Sequence, residues 1–238
     1  MNKLLLSYDT LALEDILDSK FMNVVDEITY IADKLRNLPK DRDEYYGDYA
    51  LMYKAYALLK SFLFNKVDNT GIVHFPLFKK EFCDFILNNT KDLEYTPNLE
   101  EPLSAQIPEV LLEEFRPHLF SFLCDFYFDV IADLQLIIYG IEPCKVKTIQ
   151  LAKYSAENTK CGAWHSDIDS DLTMTVSLND NYKGGGVDIR CFGLPKIVSI
   201  PSLPIGTATL FTGKMLQHRG REVTEGTRDL LVFWSEVK

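Results

Sequence analysis

Histidine, the commonest metal-ligating side chain, is sparse in this chain. It holds four histidines, and one of them, His165, lies in the run "WHSDIDSD" (164–171), followed at intervals of two by Asp167 and Asp169. Residues i and i+2 of an extended segment point the same way, so His165 and Asp167 can reach one ion. Asp169 shares that phase but stands about 6.6 Å further along an extended chain, which makes it a loop or supporting residue rather than a ligand. A two-ligand clip needs a third group. His74 sits in the apolar run "IVHFPLF", where a packing role is expected, and His118 follows Pro117 at a helix start, where exposure is expected. His218, in "FTGKMLQHRG", follows a strand-like run and precedes a turn.

His165, Asp167 and His218 make a set of two imidazoles and one carboxylate. Such a facial set leaves coordination positions open and is typical of non-haem Fe(II) oxygenases. Arg228, in "GTRD", lies ten residues after His218 at the start of the last strand-like run. An arginine buried there can hold a carboxylate in a bidentate fork.

The 238-residue chain is 47% hydrophobic, enough for a sizeable core, and its net charge of −10 argues against nucleic acid as its partner. Five cysteines are scattered with no metal-clip spacing, as expected of reduced thiols. Asp9 and Glu14 interrupt the N-terminal leucine run too early for a secretory signal. No stretch has the length and apolarity of a bilayer span. A cytoplasmic protein without membrane contact is expected.

The elements that must position these residues fall into two halves. In "SKFMNVVDEITYIADKLRNL" the apolar residues Phe21, Val24, Val25, Ile28, Ile31 and Leu35 recur near the helical period. "YALMYKAYALLKSFLF" reads as a second amphipathic helix and "NKVDNTG" as a linker, which places a boundary near residue 68: a helical extension, 1–68, then a domain, 69–238. The apolar stripes of the extension need a partner surface, either the core or a second copy of the chain in a homodimer. Next come a short strand in "IVHFPLF", a helix in "KKEFCDFILNN", a loop over 91–108, and one or two helices in "PEVLLEEFRPHLFSFLCDFYFDVIADL". From residue 144 the period becomes two, in "KVKTIQLAKY", "LTMTVSL", "GVDIRCF", "KIVSI", "TATLF" and "DLLVFWSEV". In "LTMTVSL" the residues Leu172, Met174, Val176 and Leu178 share one face, and Thr173, Thr175 and Ser177 the other. The expected fold is α+β, an antiparallel sandwich or barrel with supporting helices.

The run "KYSAENTKCGAWHSDIDSDLTMTVSLNDNYKGGGVDI", then "PIGTATLF" and "LQHRGREVTEGTRDLLVFW", resembles the Fe(II)- and 2-oxoglutarate-dependent dioxygenases of the prolyl and lysyl hydroxylase type. It is most similar to the catalytic domain of procollagen lysyl hydroxylases, with "HFPLFKKEFCDFI" resembling that domain's opening. The resemblance spans about residues 70 to 238 and implies a double-stranded β-helix (jelly-roll, cupin-like) core. It implies Fe(II) on His165, Asp167 and His218, 2-oxoglutarate paired with Arg228, and ascorbate as an auxiliary reductant. Tyr154 and Thr173 would line the cosubstrate pocket. Ser177 stands where oxygen-sensing prolyl hydroxylases carry a tyrosine, and Asp229 where the lysyl enzymes carry an aromatic residue. The implied activity is hydroxylation of a C–H bond, of a peptidyl lysine or proline, with release of succinate and CO2. The loop at 91–108 and the glycine-rich turn at 179–186 would hold the peptide. A free amino acid or other small-molecule substrate, and an inactive β-helix binding module, remain as alternatives.

Overall fold

The alternation in "LTMTVSL" organises the molecule. In the computed structural model, which describes residues 10–38, 49–62, 65–67, 70–99, 103, 106–190 and 197–237, this run is strand β6 (Leu172–Ser177). To define the labels in chain order, the helices before it are α1 (Leu13–Ile16), α2 (Ser19–Met22), α3 (Val25–Arg36), α4 (Tyr49–Phe62), α5 (Lys80–Thr90), α6 (Leu112–Phe115), α7 (Pro117–Phe126), a π-helical turn (Tyr127–Ile131) and α8 (Ala132–Tyr139). The strands before it are β1 (Asn65–Val67), β2 (Ile72–Pro76), β3 (Thr96–Pro97), β4 (Pro108–Leu111) and β5 (Pro143–Ser155). After it come β7 (Lys183–Gly184), β8 (Val187–Arg190), β9 (Ile197–Ile200), β10 (Thr207–Phe211), β11 (Gln217–Gly220), β12 (Val223–Glu225) and β13 (Thr227–Val237).

β6 lies inside an eight-stranded antiparallel sheet of order β1-β2-β10-β6-β13-β5-β4-β3. Its Leu172, Met174 and Val176 are fully buried in the main core with Leu119, Leu123 and Ile131 of the helices. Thr173, Thr175 and Ser177 face the opposite side and line a cavity. A second sheet, β11-β8-β9, covers that inner side, where Ile189, Ile200 and Leu216 pack with Ile72 and Phe211 of the large sheet. Helices, large sheet and small sheet thus form three layers, with two sheets closed as a jelly roll around the cavity. This is the expected α+β, double-stranded β-helix architecture.

The N-terminal helices pack into the same core as the strands. Phe21 of α2 is fully buried, its ring 5.9 Å from that of Phe75 on β2. Backbone bonds from Asp18 to Leu77 (2.8 Å) and from Lys79 to Ile16 (3.0 Å) tie α1 and α2 to the chain leaving β2. Arg36, at the end of α3, pairs with Asp133 of α8 and with Glu142, each at 2.5 Å. No helix among the described residues is long and apolar enough to cross a membrane.

Four local expectations differ from the structure. "PEVL" forms the strand β4 beside β5, not the start of a helix. A short apolar run fits either period, and here the long β5 offers an edge on which Val110 can be buried. Pro117 then starts α7 at its first turn, as expected. Asn65–Val67, expected in a linker, is a strand hydrogen-bonded to β2. The first helical run is broken at Asn23–Val24 into α2 and α3. The loop at 91–108 contains the short strand β3, paired with β4. The expected polar break at 39–48 and the ends of two runs, at 63–64 and 191–192, lie outside the described residues.

His74 occupies the packing role expected of it: it is buried on β2, with Nδ1 3.1 Å from Thr209 Oγ1. Burial lowers its pKa to about 4. The unfolded chain therefore binds a proton between about pH 6.5 and pH 4 that the folded chain refuses, so stability present above pH 6.5 is lost as pH falls. Between pH 7 and 4.5 this amounts to about 2.5 kcal/mol. Urea unfolding of a His74→Gln protein should show a loss over that interval smaller than the parent's by about this amount; an identical loss in both would contradict the account.

Candidate metal centre and its cavity

The residue His165 belongs to no regular strand, yet it pairs with His218 of β11 through reciprocal backbone bonds of 3.0 and 2.8 Å. This bridge sets the two imidazoles side by side, ring centroids 4.3 Å apart. Asp167 follows two residues later, its amide donating to the Gly213 carbonyl at 3.1 Å. One ligand atom from each of His165, Asp167 and His218 lies within 4.8 Å of the others. His165 Nε2 is 3.6 Å from Asp167 Oδ1, and His218 Nε2 is 3.6 Å from Oδ2. These separations exceed a hydrogen bond and lie under about 4.2 Å, twice a typical metal–ligand distance.

The proton positions suit metal binding. Nδ1 of His165 faces the Ala163 carbonyl at 2.9 Å, and Nδ1 of His218 faces the Leu216 carbonyl at 3.0 Å. A carbonyl only accepts, so each Nδ1 carries the hydrogen and each Nε2 lone pair points inward. Burial lowers the His218 pKa, the Asp167 charge opposing and the neighbouring His165 assisting, so the ring is a neutral donor of its lone pair at neutral pH. Asp169 turns away from the cluster and pairs with Lys147 at 2.8 Å, largely exposed. His118 is exposed. Both placements match expectation.

Arg228 and Tyr154 stand directly opposite one another on β13 and β5 and line the same cavity as the His–Asp–His cluster. The cavity encloses about 110 Å³, the scale of a small organic molecule. Arg228 is only 7% exposed. Its Nη1 donates to the Gly186 carbonyl at 2.9 Å, its guanidinium lies 5.5 Å from the Tyr154 ring centroid, and its Nε is buried without a partner. Among the described residues no carboxylate forms an ion pair with it. Burial pushes the Tyr154 phenol up to about 12, against the pull of Arg228, so it stays protonated at neutral pH. The inner walls carry Thr175 and Ser177 of β6, Leu230 and Val232 of β13, and Gln150 of β5. Asp229, on the outer face, is bonded to Asn179 and lies 3.6 Å from Lys153.

Thr173 lines the cavity too, but its hydroxyl bonds to the Asp167 carboxylate at 2.6 Å rather than facing an open subsite. Sequence alone gave no sign of this bond, nor of Gly213 behind it. The contact joins the strand to the loop, and only folding brings them together.

The glycine triplet is required by the geometry of the turn itself. Gly184, Gly185 and Gly186 all have positive φ, and a Cβ would lie 2.3 Å from the Glu222 carbonyl oxygen at Gly184 and 2.2 Å from that of Ile200 at Gly186. At Gly184 and Gly186 the close backbone approach that glycine permits is to this chain's own strands. Gly186→Ala should therefore destabilise the fold by more than about 2 kcal/mol, the left-handed cost of about 1–2 kcal/mol plus a backbone clash. Gly140→Ala, at φ 70° with nothing within 4 Å of its Cβ, should show the left-handed cost alone. Equal losses in urea unfolding would refute the clash.

No family model matches the sequence, and no curated protein matches it. Solved structures match its fold. A prolyl hydroxylase from Trichoplax adhaerens, in complex with a hypoxia inducible factor oxygen degradation domain peptide fragment, superposes with a TM-score of 0.58 at 13% identity, over 80% of this chain and 94% of that one. A 2OG-Fe(II) oxygenase family oxidoreductase from Burkholderia pseudomallei gives 0.56 at 16%, over 78% and 90%. The non-heme alpha ketoglutarate dependent epimerase SnoN from nogalamycin biosynthesis gives 0.52 at 14%, over 79% and 82%. The fold is thus that of 2-oxoglutarate–Fe(II) oxygenases. Prolyl hydroxylases recur among these neighbours, while the likeness to lysyl hydroxylases is carried by the sequence motifs alone.

Proposed function

We propose that this protein is an Fe(II)- and 2-oxoglutarate-dependent dioxygenase that hydroxylates a C–H bond, on a lysyl or prolyl side chain of a peptide. The observation carrying the reading is the buried Arg228, its Nε unpartnered, in one cavity with two imidazoles and a carboxylate whose donor atoms converge. The donor set fits Fe(II). A guanidinium with a free Nε, paired with no carboxylate among the described residues, fits the distal carboxylate of a dicarboxylic cosubstrate.

When bound, the iron with 2-oxoglutarate and O2 supplies the oxidising power, releasing succinate and CO2, with ascorbate as an auxiliary reductant. The chain's part is to bind and to orient. His165, Asp167 and His218 hold the ion through Nε2, a carboxylate oxygen and Nε2. Arg228 anchors the far end of the cosubstrate, and the protonated Tyr154 flanks it. Leu230 and Val232 form an apolar wall that excludes water, and Thr175 and Ser177 offer hydroxyls along it. A peptide substrate is supported by the peptide-bound neighbour and by the motif likeness. The net charge of −10 would favour a lysine-bearing partner by long-range attraction. A small-molecule substrate is the second reading, supported by the neighbours from nogalamycin biosynthesis. Free thiols at Cys83, Cys124, Cys144 and Cys161 fit a reducing, cytoplasmic setting.

Anaerobic titration with Mn(II) in place of Fe(II) tests the ligands. Alanine at His165, Asp167 or His218 should abolish binding, and Asp169→Ala should bind nearly as the parent does. Full retention in His218→Ala would remove the assignment.

Arg228→Ala should bind metal normally but lose 2-oxoglutarate affinity by at least about tenfold, since one charged hydrogen bond contributes about 1.5–3 kcal/mol. Arg228→Lys should recover part of it, keeping the charge without the fork. Fe(II), 2-oxoglutarate and air should release succinate, with a hydroxylated product sought on lysyl and prolyl peptides and on free amino acids. An unchanged 2-oxoglutarate constant in Arg228→Ala would refute the anchor. Turnover confined to free amino acids would favour the second reading.

A further inference from the structure

Behind the candidate metal centre runs a line of buried polar side chains that the proposed chemistry does not touch. Gln135 of α8, Tyr127 of the π-helical turn, Ser235 of β13, Ser170 and Thr173 are each no more than 1% exposed. Such groups are costly in a core unless hydrogen-bonded. Gln135 Nε2 donates to the Tyr127 hydroxyl. Tyr127 donates to Ser235 Oγ at 3.0 Å, and Ser235 to the Leu172 carbonyl at 3.0 Å. On the other side of that carbonyl, Ser170 Oγ lies 2.8 Å from it and 3.0 Å from Thr173 Oγ1, which is 2.6 Å from Asp167 Oδ2.

Each hydroxyl has one hydrogen to give, and an ionised carboxylate can only accept. The Thr173 hydrogen therefore goes to Asp167. The Thr173 oxygen is left as an acceptor, and Ser170 is the hydroxyl within reach to donate to it. The Leu172 carbonyl, at 2.8 Å, competes for the Ser170 hydrogen; of its two lone pairs, Ser235 fills one.

Resting on the reading of His165, Asp167 and His218 as metal ligands, we propose that Tyr127, Ser235, Ser170 and Thr173 are a positioning relay for Asp167. The Tyr127–Ser235 arm fills one lone pair of the Leu172 carbonyl and so favours turning the Ser170 hydrogen to Thr173, whose own hydrogen is held by the acceptor-only Asp167 at Oδ2. Oδ1 stays free of that bond, 3.6 Å from His165 Nε2. Two features fit this role. A Cβ at Gly213 would lie 2.4 Å from Thr173 Oγ1 and 3.0 Å from Asp167 Cβ, so the backbone closes tightly over the pair. The π-helical turn, a rare geometry that recurs at functional sites, carries Tyr127, whose ring also stacks on Phe233 at 5.5 Å.

The test titrates Co(II) anaerobically into the native protein and into Thr173→Val, Thr173→Ser, Ser170→Ala and Tyr127→Phe, recording the dissociation constant and the visible absorption of the bound ion. Thr173→Val should weaken binding about 10–100-fold, the range for outer partners of a metal ligand, and shift the spectrum; Thr173→Ser should restore both. Ser170→Ala and Tyr127→Phe should weaken binding roughly threefold to tenfold and add little to Thr173→Val, the non-additivity of groups acting in series. If the native protein binds no Co(II), the metal reading fails and the relay with it. If the native protein binds but the variants match it in constant and spectrum, even with lowered stability, the relay alone is overturned.

Discussion

The reciprocal backbone bonds between His165 and His218 are the constraint on which the site depends. They join a loop before β6 to a strand of the small sheet, and thereby set two imidazoles from distant parts of the chain side by side. Everything else at the centre is arranged around that bridge. The Asp167 amide is held by the Gly213 carbonyl, and each Nδ1 is committed to a carbonyl of its own segment. The inward nitrogens are thus fixed by backbone, which carries no information about residue type. A site built this way tolerates wide sequence change at its margins, which accords with a fold match at 13–16% identity.

What was legible in the sequence follows from the range of the interactions involved. The period-two pattern of β6 is local, and it correctly separated a cavity face from a core face. The convergence of His165, Asp167 and His218 was legible because histidine is scarce here and the His165–Asp167 spacing has a direct geometric meaning. The Thr173–Asp167 bond and the space over Gly213 were not legible, because they depend on a loop folding back over a strand. "PEVL" was misread for a related reason: its apolar residues suit a helix or a strand, and only the free edge of β5 decides between them. The glycine triplet was recognised as a place of close approach, but sequence could not say which backbone approaches. It is this chain's own, at Glu222 and Ile200.

Arg228 shows how the site sets binding against stability. A buried guanidinium without a carboxylate partner is a free-energy cost to the fold. A tightly packed apolar replacement would remove that cost together with the anchor proposed for the cosubstrate. The cost is moderated by the Gly186 carbonyl and the face of Tyr154, neither of which neutralises the charge. An anion entering the cavity would meet a cation already desolvated and oriented, so little reorganisation remains at the moment of binding.

The same economy bears on substrate choice. Gly184 and Gly186 of the glycine-rich turn are packed against the chain's own backbone, so the fold itself sets the shape of the turn. Under the proposed reading a substrate would meet the other side chains that line the cavity, among them Ile107, Glu109, Val187 and Leu203. Three of these are apolar and one is acidic. Such a wall suits an aliphatic side chain. Loops on a rigid β scaffold vary without disturbing the core, so under the proposed reading the iron and cosubstrate machinery would constrain selectivity only through the direction in which a C–H bond must be presented.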